Sequence, residues 1–293
     1  MKNKLSLFAV PYVGWMSIFV VAPIIIMVVY AFSTAAGDFT LENFARMGTY
    51  TAVFTRSFKL AIIATLIALL IGYPVSYMLS KEGPQVQRIA MVLIMLPMWM
   101  NFLLRTYSWM SILENNGLLN QLFQQIGLID LYNQIAMHFA SDPAAYVPID
   151  HFQMIGTQGA VVLGMVYNYL PFMILPIYSV LVKLDHSLIE AARDLGASSV
   201  QVFRKVILPL SLPGVLSGIT MVFVPSVSTF AISRLLGGGK SLLLGDLIEM
   251  QFMGTAYNPH LGSAISLVMM AIVVVCMLVM NRFGDGEEQA VML

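Results

Sequence analysis

Residues 190–209 read EAARDLGASSVQVFRKVILP, from Glu190 to Pro209, a polar island between long apolar segments. Its local chemistry spells two short helices. Ser187 precedes Glu190 by three residues, the spacing of a capping box, and Gly196 stands where a left-handed residue would end that helix. Ser198 and Gln201 repeat the capping arrangement for a second helix. That helix is expected to run through Phe203, Arg204 and Lys205 until Pro209 interrupts it. Ala191 and Ala192 carry almost no side chain, so another backbone or a bulky side chain can approach closely along their face. A membrane protein that keeps a charged helix, glycine turn and helix outside the lipid has a handle for a soluble partner; the alternative is an ordinary amphipathic loop.

Outward from this island the chain is apolar. Of its 293 residues 59% are hydrophobic and only 10% are charged, with mean hydropathy +0.83, a composition that excludes a soluble domain. Six runs are long enough to cross a hydrocarbon core of about 30 Å as helices: Leu7 to Phe32, Ser57 to Ser80, Ile89 to Leu113, Gly159 to Leu181, Leu212 to Ser233 and Gly262 to Asn281. The expected fold is therefore an all-α membrane protein with six transmembrane helices. Lys2, Lys4, Lys81, Arg88, Lys183, Arg193, Arg204, Lys205 and Arg282 fall on one side of these spans, in shorter loops. Arg46, Arg56, Lys59, Arg234 and Lys240 fall on the other. The bias predicts that both termini and the Glu190 island are cytoplasmic.

The first span follows Lys2 and Lys4 but is too long for a signal-peptide core and lacks a clear small-residue cleavage site, so it is expected to stay as a helix. The single cysteine, Cys276, has no partner for a disulfide. The longest loop, Glu114 to Thr157, contains Glu114, Asp130, Asp142 and Asp150 but no Lys or Arg. Within it Leu118, Leu119, Leu122, Phe123, Ile126 and Ile129 recur at helical spacing, as in an amphipathic helix on the membrane surface; its second half, with Pro143 and Pro148, reads as irregular. No internal repeat is evident. Gly72, Pro74, Pro97, Pro171, Pro176 and Pro225 fall inside spans, where kinks or unwound turns persist only if neighbouring helices or an aqueous path satisfy the freed carbonyls. Gly214 and Gly218 form a small-xxx-small face suited to close helix packing.

The run RLLGGGKS, Arg234 to Ser241, looks like a phosphate-binding loop but has Arg234 where the pattern needs Gly, and it follows a span rather than a strand. His138, His151, His186 and His260 lack metal-ligand spacing, and no catalytic constellation appears in any span. The sharper signal is the third span, where Trp99, Asn101, Arg105 and Tyr107 place aromatic, amide and guanidinium groups at membrane depth. An ionisable residue there costs at least roughly 2.5 to 3.5 kcal/mol and usually faces a bundle interior. Asn101 and Arg105 are four residues apart and are expected to share a face. Tyr167 and Asn168 add polar groups beside Pro171 in the fourth span. A lined translocation path is one reading; the other has Arg105 snorkelling outward or meeting a partner's carboxylate, and Trp99 and Tyr167 packed between helices.

The Glu190 island resembles the EAA loop of ABC importer permeases, whose pattern is EAA, three residues, Gly, nine residues, Ile, one residue, Leu-Pro. Glu190, Ala191, Ala192, Gly196, Leu208 and Pro209 match it, and Val206 stands for the Ile. The resemblance implies a type I importer permease (MetI-like) fold, with residues 1–56 as an N-terminal helix and extracellular loop, 57–281 as the transport domain carrying a cytoplasmic coupling loop at 182–211, and 282–293 as a cytoplasmic tail. It implies that Glu190, Ala191, Ala192, Asp194, Gly196, Leu208 and Pro209 couple the chain to an ATPase. The segments FTLENF, PMWMNFLLRTYSW, YNYLPFMILPIYS and KLDHSLIEAARDLGAS resemble the B-type permease of spermidine/putrescine importers. That likeness implies a second homologous permease, two ATPase subunits that hold the ATP and Mg, an extracellular polyamine-binding protein, and residence in a prokaryotic plasma membrane. It implies no cofactor in this chain and no nucleic-acid partner. Residues 139–157 look longer than their counterparts in such relatives, and Asp246 and Glu249 stand where the family pattern has no acids. A polyamine needs carboxylates and aromatic faces. Trp99, Tyr107 and Tyr167 offer faces, but no carboxylate lies mid-span, so either a partner permease provides the acids or the cargo differs. The competing classes are an ion-coupled secondary transporter and a membrane scaffold.

Overall fold

The computed structural model describes residues 10–139, 146–239, 242–254 and 256–291. Of the residues singled out above, Lys2, Lys4, Leu7, Asp142, Pro143, Lys240 and Ser241 lie outside these. The described residues are helical, with one isolated bridge between Ser33 and Phe39. The first span is α1, Val10–Ala31, which widens into a π turn at Ser17–Val21. Then come α2, Glu42–Met47, and α3, Thr51–Ser80. At 30 residues α3 is about 45 Å long, more than the hydrocarbon core, and it crosses the boundary expected at residue 56 without a break. Asn43 closes the α1–α2 turn by donating to the Ala31 and Ser33 carbonyls at 3.0 and 3.1 Å.

The third span differs from its expected single helix. It is split into α4, Pro84–Trp99, and α5, Phe102–Leu113, and the direction changes by 91° between α4 and the segment from Phe102. Met100 is extended, and the Asn101 side chain accepts from the Leu103 and Leu104 amides at 2.8 and 3.4 Å, starting a new helix at an N-cap. Among the described residues, five other helices are long and apolar enough to cross a membrane. The fourth span is α8, Gln158–Leu181, unbroken through Pro171 and Pro176. Between α5 and α8 the outer loop folds into α6, Leu118–Gln125, and α7, Leu128–Phe139, separated at Gly127, whose φ of +70° only glycine adopts cheaply. Two asparagines hold the irregular return segment. Asn120 exchanges bonds with the Phe152 amide and carbonyl, and Asn133 does the same with Ile149 at 2.8 to 2.9 Å.

The Glu190 island forms α9, His186–Asp194, and α10, Ser199–Val202. The fifth span is α11, Leu208–Ser228; it stops five residues before its expected end, Ser233, because Thr229 is extended. Short helices α12, Ala231–Leu236, and α13, Leu244–Met253, follow, and then α14, Pro259–Val291, which runs past the span end expected at Asn281.

Helices α3, α8 and α11 pack into the central bundle. Apolar side chains gain little by leaving lipid for another helix, so close approach drives this packing. Ala61, Ala64, Ala68 and Gly72 put small residues along α3. A Cβ at Gly72 would lie 2.9 Å from Met173, one at Gly218 2.8 Å from the Met173 sulfur, and one at Gly214 2.8 Å from the Pro176 carbonyl. The small-residue face expected at Gly214 and Gly218 is thus where α11 presses on α8.

Candidate functional site

The candidate site residues lie in the polar island, on α8, and around two helix breaks, one at Asn101 and one at Thr229. In the island, α9 is capped by Asp185, whose carboxylate accepts from the Ser187 amide at 2.9 Å. Ser187 therefore lies inside the first turn, and the expected Ser187–Glu190 box does not form, because the aspartate two residues earlier takes the free amide. The other end is as expected. Gly196 has φ +83°, its amide bonds to the Arg193 carbonyl at 2.8 Å, and the Ala197 amide bonds to the Ala192 carbonyl at 3.0 Å, the two bonds of a Schellman turn. Ser198 and Gln201 form the reciprocal box, with bonds of 2.8 and 3.4 Å.

Pro209 does not interrupt the second helix. The chain passes from α10 through a π turn at Phe203–Ile207 directly into α11, with the Leu208 amide reaching the Phe203 carbonyl. A proline ring clashes with the carbonyl four residues earlier in a regular helix; the wider turn makes room for it. The island is thereby joined rigidly to the fifth span. It is also braced sideways: Phe203 meets the edges of Tyr73 and Tyr77 at 5.8 and 5.6 Å, and Tyr73 hydrogen-bonds Ser211 at 2.9 Å. Nothing in the local sequence marked Tyr73, Tyr77 or Phe203, since their meeting depends on the packing of α3 on α11. Behind the island lies a cavity of about 530 Å³ bordered by Tyr77, Lys81, Gln87, Ile189 and Arg193.

The outer surface of the island is unusual for a solvated loop. Glu190, Ala191, Asp194 and Gly196 are exposed, and so are Leu188, Leu195 at 89% and Val200 at 65%. Apolar side chains this open, on a rigid knob rimmed by charges, suit a docking surface. Leu208 and Pro209 sit beyond the π turn, at the root of α11 and away from the knob.

The six residues assigned to a path are not brought onto one surface. Trp99, at the end of α4, is 74% exposed, and Tyr107 on α5 is also exposed. Asn101 spends its carbonyl oxygen on capping α5. Arg105, expected on the same face, turns inward instead and is only 8% exposed, with Nε and Nη1 buried and unbonded. Tyr167 packs edge-on against Trp109 at 5.3 Å. Asn168 is buried; its amide nitrogen donates to the Gly164 carbonyl at 2.9 Å while its oxygen has no partner. Near Arg105 lies Tyr169, whose hydroxyl reaches toward the Pro225 carbonyl at the end of α11.

The second break is locked from outside. Gly245 lies so close to the end of α11 that a Cβ there would stand 2.4 Å from the Ser228 and Thr229 carbonyls. Leu244 donates to the buried Ser57 hydroxyl at 2.8 Å. Asp246, buried on α13, accepts from Ser233 at 2.6 Å and from the Leu243 amide at 3.0 Å, and burial raises its pKa. Glu249 pairs with Arg234. These two acids therefore tie α13 to α12. The glycine run ends α12 after a helix rather than a strand, and Gly238 and Gly239 take positive φ to turn the chain toward α13.

Residues 67–291 match the model of the family described as binding-protein-dependent transport system inner membrane component. The chain is 36% identical over 281 residues to the spermidine/putrescine transport system permease protein PotB of Escherichia coli K12, covering 93% of this chain and 95% of that one. To the PotB of Haemophilus influenzae it is 36% identical over 285 residues, covering 93% of each, and to that of Salmonella typhimurium SL1344 it is 35% identical over 281, covering 93% and 91%. Among solved structures, a chain of a bacterial ABC transporter importing the acidic polysaccharide alginate superposes with TM-score 0.72 at 17% identity, covering 97% of this chain and 96% of that chain. A chain of the MetNI methionine ABC transporter superposes with TM-score 0.53 at 18% identity, covering 84% and 98%. The helical fold is thus that of ABC importer permeases, as expected. With its apolar spans, its EAA-type knob and this likeness over nearly its whole length, the chain belongs to the inner-membrane components of binding-protein-dependent transport systems.

Proposed function

We propose that this chain is one permease half of a polyamine importer, taking up spermidine and putrescine at the expense of ATP hydrolysed elsewhere. The observation that carries this reading is the 35 to 36% identity to spermidine/putrescine permeases over 93% of the chain. In this reading the island at 182–211 is cytoplasmic, as are both termini, and the chain lies in a prokaryotic plasma membrane beside a second homologous permease. Two ATPase subunits hold the ATP and Mg, and an extracellular binding protein delivers cargo. The division into an entry segment, 1–56, a transport domain, 57–281, and a tail, 282–293, is one of role, since its boundaries fall inside α3 and α14.

The knob supports the coupling part of the reading. Glu190, Ala191, Ala192, Asp194 and Gly196 stand on an element whose two ends are closed by Asp185 and by the Schellman turn, and Leu195 and Val200 offer apolar contact. A force on this knob passes through the unbroken π turn to Leu208, Pro209 and α11, and through Phe203 to α3. For the path, Trp99, Asn101, Arg105, Tyr107, Tyr167 and Asn168 remain the candidates, Arg105 and Asn168 being buried and Trp99 and Tyr107 exposed. The test is uptake of labelled spermidine and putrescine by proteoliposomes holding the assembly of both permeases, ATPase and binding protein. ATP-dependent uptake of either supports the reading. Uptake that persists with an inactive ATPase would instead point to a secondary transporter, and no polyamine uptake would refute the cargo.

A further inference from the structure

We propose that Arg105 anchors a carboxylate that the companion permease carries within the membrane-spanning bundle. The inference rests on the two-permease reading above. Arg105 is more than nine-tenths buried, and Nε and Nη1 have no hydrogen-bond partner. No hydrogen bond or ion pair joins its side chain to any described residue, so the small remaining exposure includes Nη2, the one nitrogen left open to an incoming group. A buried guanidinium without a counter-charge is costly.

Three features narrow what pairs with it. The first is position. Arg105 lies within electrostatic reach of Tyr169 on α8, and its own helix packs along the first half of α8, with Trp109 edge-on to Tyr167 at 5.3 Å. A side chain more than nine-tenths buried among helices is not placed to reach the lipid phosphates that border the hydrocarbon core.

The second is local field. Arg105 is in the first turn of α5, where the positive end of the helix opposes a cation, and the Leu103 and Leu104 amides are already taken by Asn101. The carbonyl end of α11 and the Tyr169 hydroxyl lie nearby but make no bond to the guanidinium.

The third is the sequence. Residues 10–31, 51–80, 84–113, 158–181, 199–228 and 259–280 contain no Asp or Glu. A second copy of this chain would thus bring another Arg105 and no acid in a span; its buried Asp246, whose second oxygen has no partner, lies on α13, outside the spans, tied to Ser233 and Leu243. A polyamine cargo is itself cationic and is repelled. A related permease with one carboxylate within its spans meets the requirement, and guanidinium with carboxylate is the pairing that tolerates burial when hydrogen-bonded on both sides.

The experiment co-expresses the full chain with a companion permease of the same family from the same source and measures recovery of the pair by affinity capture through one tag and size exclusion. Arg105→Leu and Arg105→Glu are expected to lower the recovered pair by about tenfold or more, and Arg105→Lys by less. Each mid-span Asp or Glu of the companion is changed to Asn or Gln. One of these should reproduce the loss, and placing Arg at that position should rescue Arg105→Glu to within a few-fold of the unaltered pair. Rescue by the reciprocal swap also separates pairing from failure to fold. Full recovery of the Arg105→Leu pair, or a companion in which no acid substitution and no swap has an effect, overturns the inference. If the unaltered chain never captures a second permease, it is the two-permease reading that falls.

Discussion

Gly196 gives a sharp test, because the structure isolates one physical cause. Its φ is +83°, and a Cβ placed there would meet nothing within 4 Å. Replacing it with Ala therefore adds no clash; the cost is that of holding an L-residue in the left-handed region, about 1–2 kcal/mol. That energy falls on a turn held by two bonds, from the Gly196 and Ala197 amides to the Arg193 and Ala192 carbonyls. The ratio of closed to frayed knob should drop about 5- to 30-fold. Asn tolerates this conformation better than Ala, and a β-branched residue worse, so retained coupling should follow the order Gly, Asn, Ala, Val. The assay reads polyamine uptake and ATP hydrolysis together in proteoliposomes, with hydrogen exchange over 186–202 reporting the knob itself. Membrane insertion should be unchanged, while uptake per ATP falls and exchange rises in the same order. A Gly196→Val assembly with normal uptake per ATP, or an Asn variant worse than Val, would refute the argument that this turn holds the coupling surface.

The remaining predictions address other contacts. Asp185→Ala should lower the stability of α9 by about 1 kcal/mol, whereas Ser187→Ala should change it little; exchange over the first turn distinguishes this cap from the alternative box. Gly214→Val forces a side chain against the Pro176 carbonyl and should cost about 1–3 kcal/mol, seen as a lower melting temperature in detergent. Burial holds the Asp246 carboxyl above its ordinary pKa, so the folded state binds the proton more tightly than the unfolded one. The stabilisation is full below the unfolded pKa and is lost as pH rises through the folded value. Asp246→Asn should flatten this fall in melting temperature with rising pH while keeping an acceptor for Ser233 and Leu243; an unchanged slope would remove Asp246 as its cause.

The parts of the knob that could be read from sequence are those set by neighbours a few residues apart. Gly196 and the Ser198–Gln201 box are such cases, since a cap needs only its own turn. The Ser187 expectation failed inside the same local physics: Asp185 and Ser187 both suit a cap, and the aspartate takes the amide. The break at Asn101 had a signal, a good N-cap residue four positions after Pro97, but continuous hydropathy hid it. The ties of Asp246 to Ser233 and of Phe203 to Tyr73 cross 13 and 130 residues, and no spacing rule reaches so far.

Sequence alone determined that the chain crosses a membrane as apolar helices, and that one charged helix-turn-helix interrupts them, because hydrocarbon demands long apolar runs and backbone polar groups must be capped within their own turn. Only the tertiary structure decided which way those helices bend and which side chains turn inward. Lipid and protein interior are about equally apolar, so a uniformly greasy helix carries no stripe that orients it. The contacts of Gly72, Gly214 and Gly218 with α8 set the packing, and Arg105 turns inward while Trp99 and Tyr107 remain exposed.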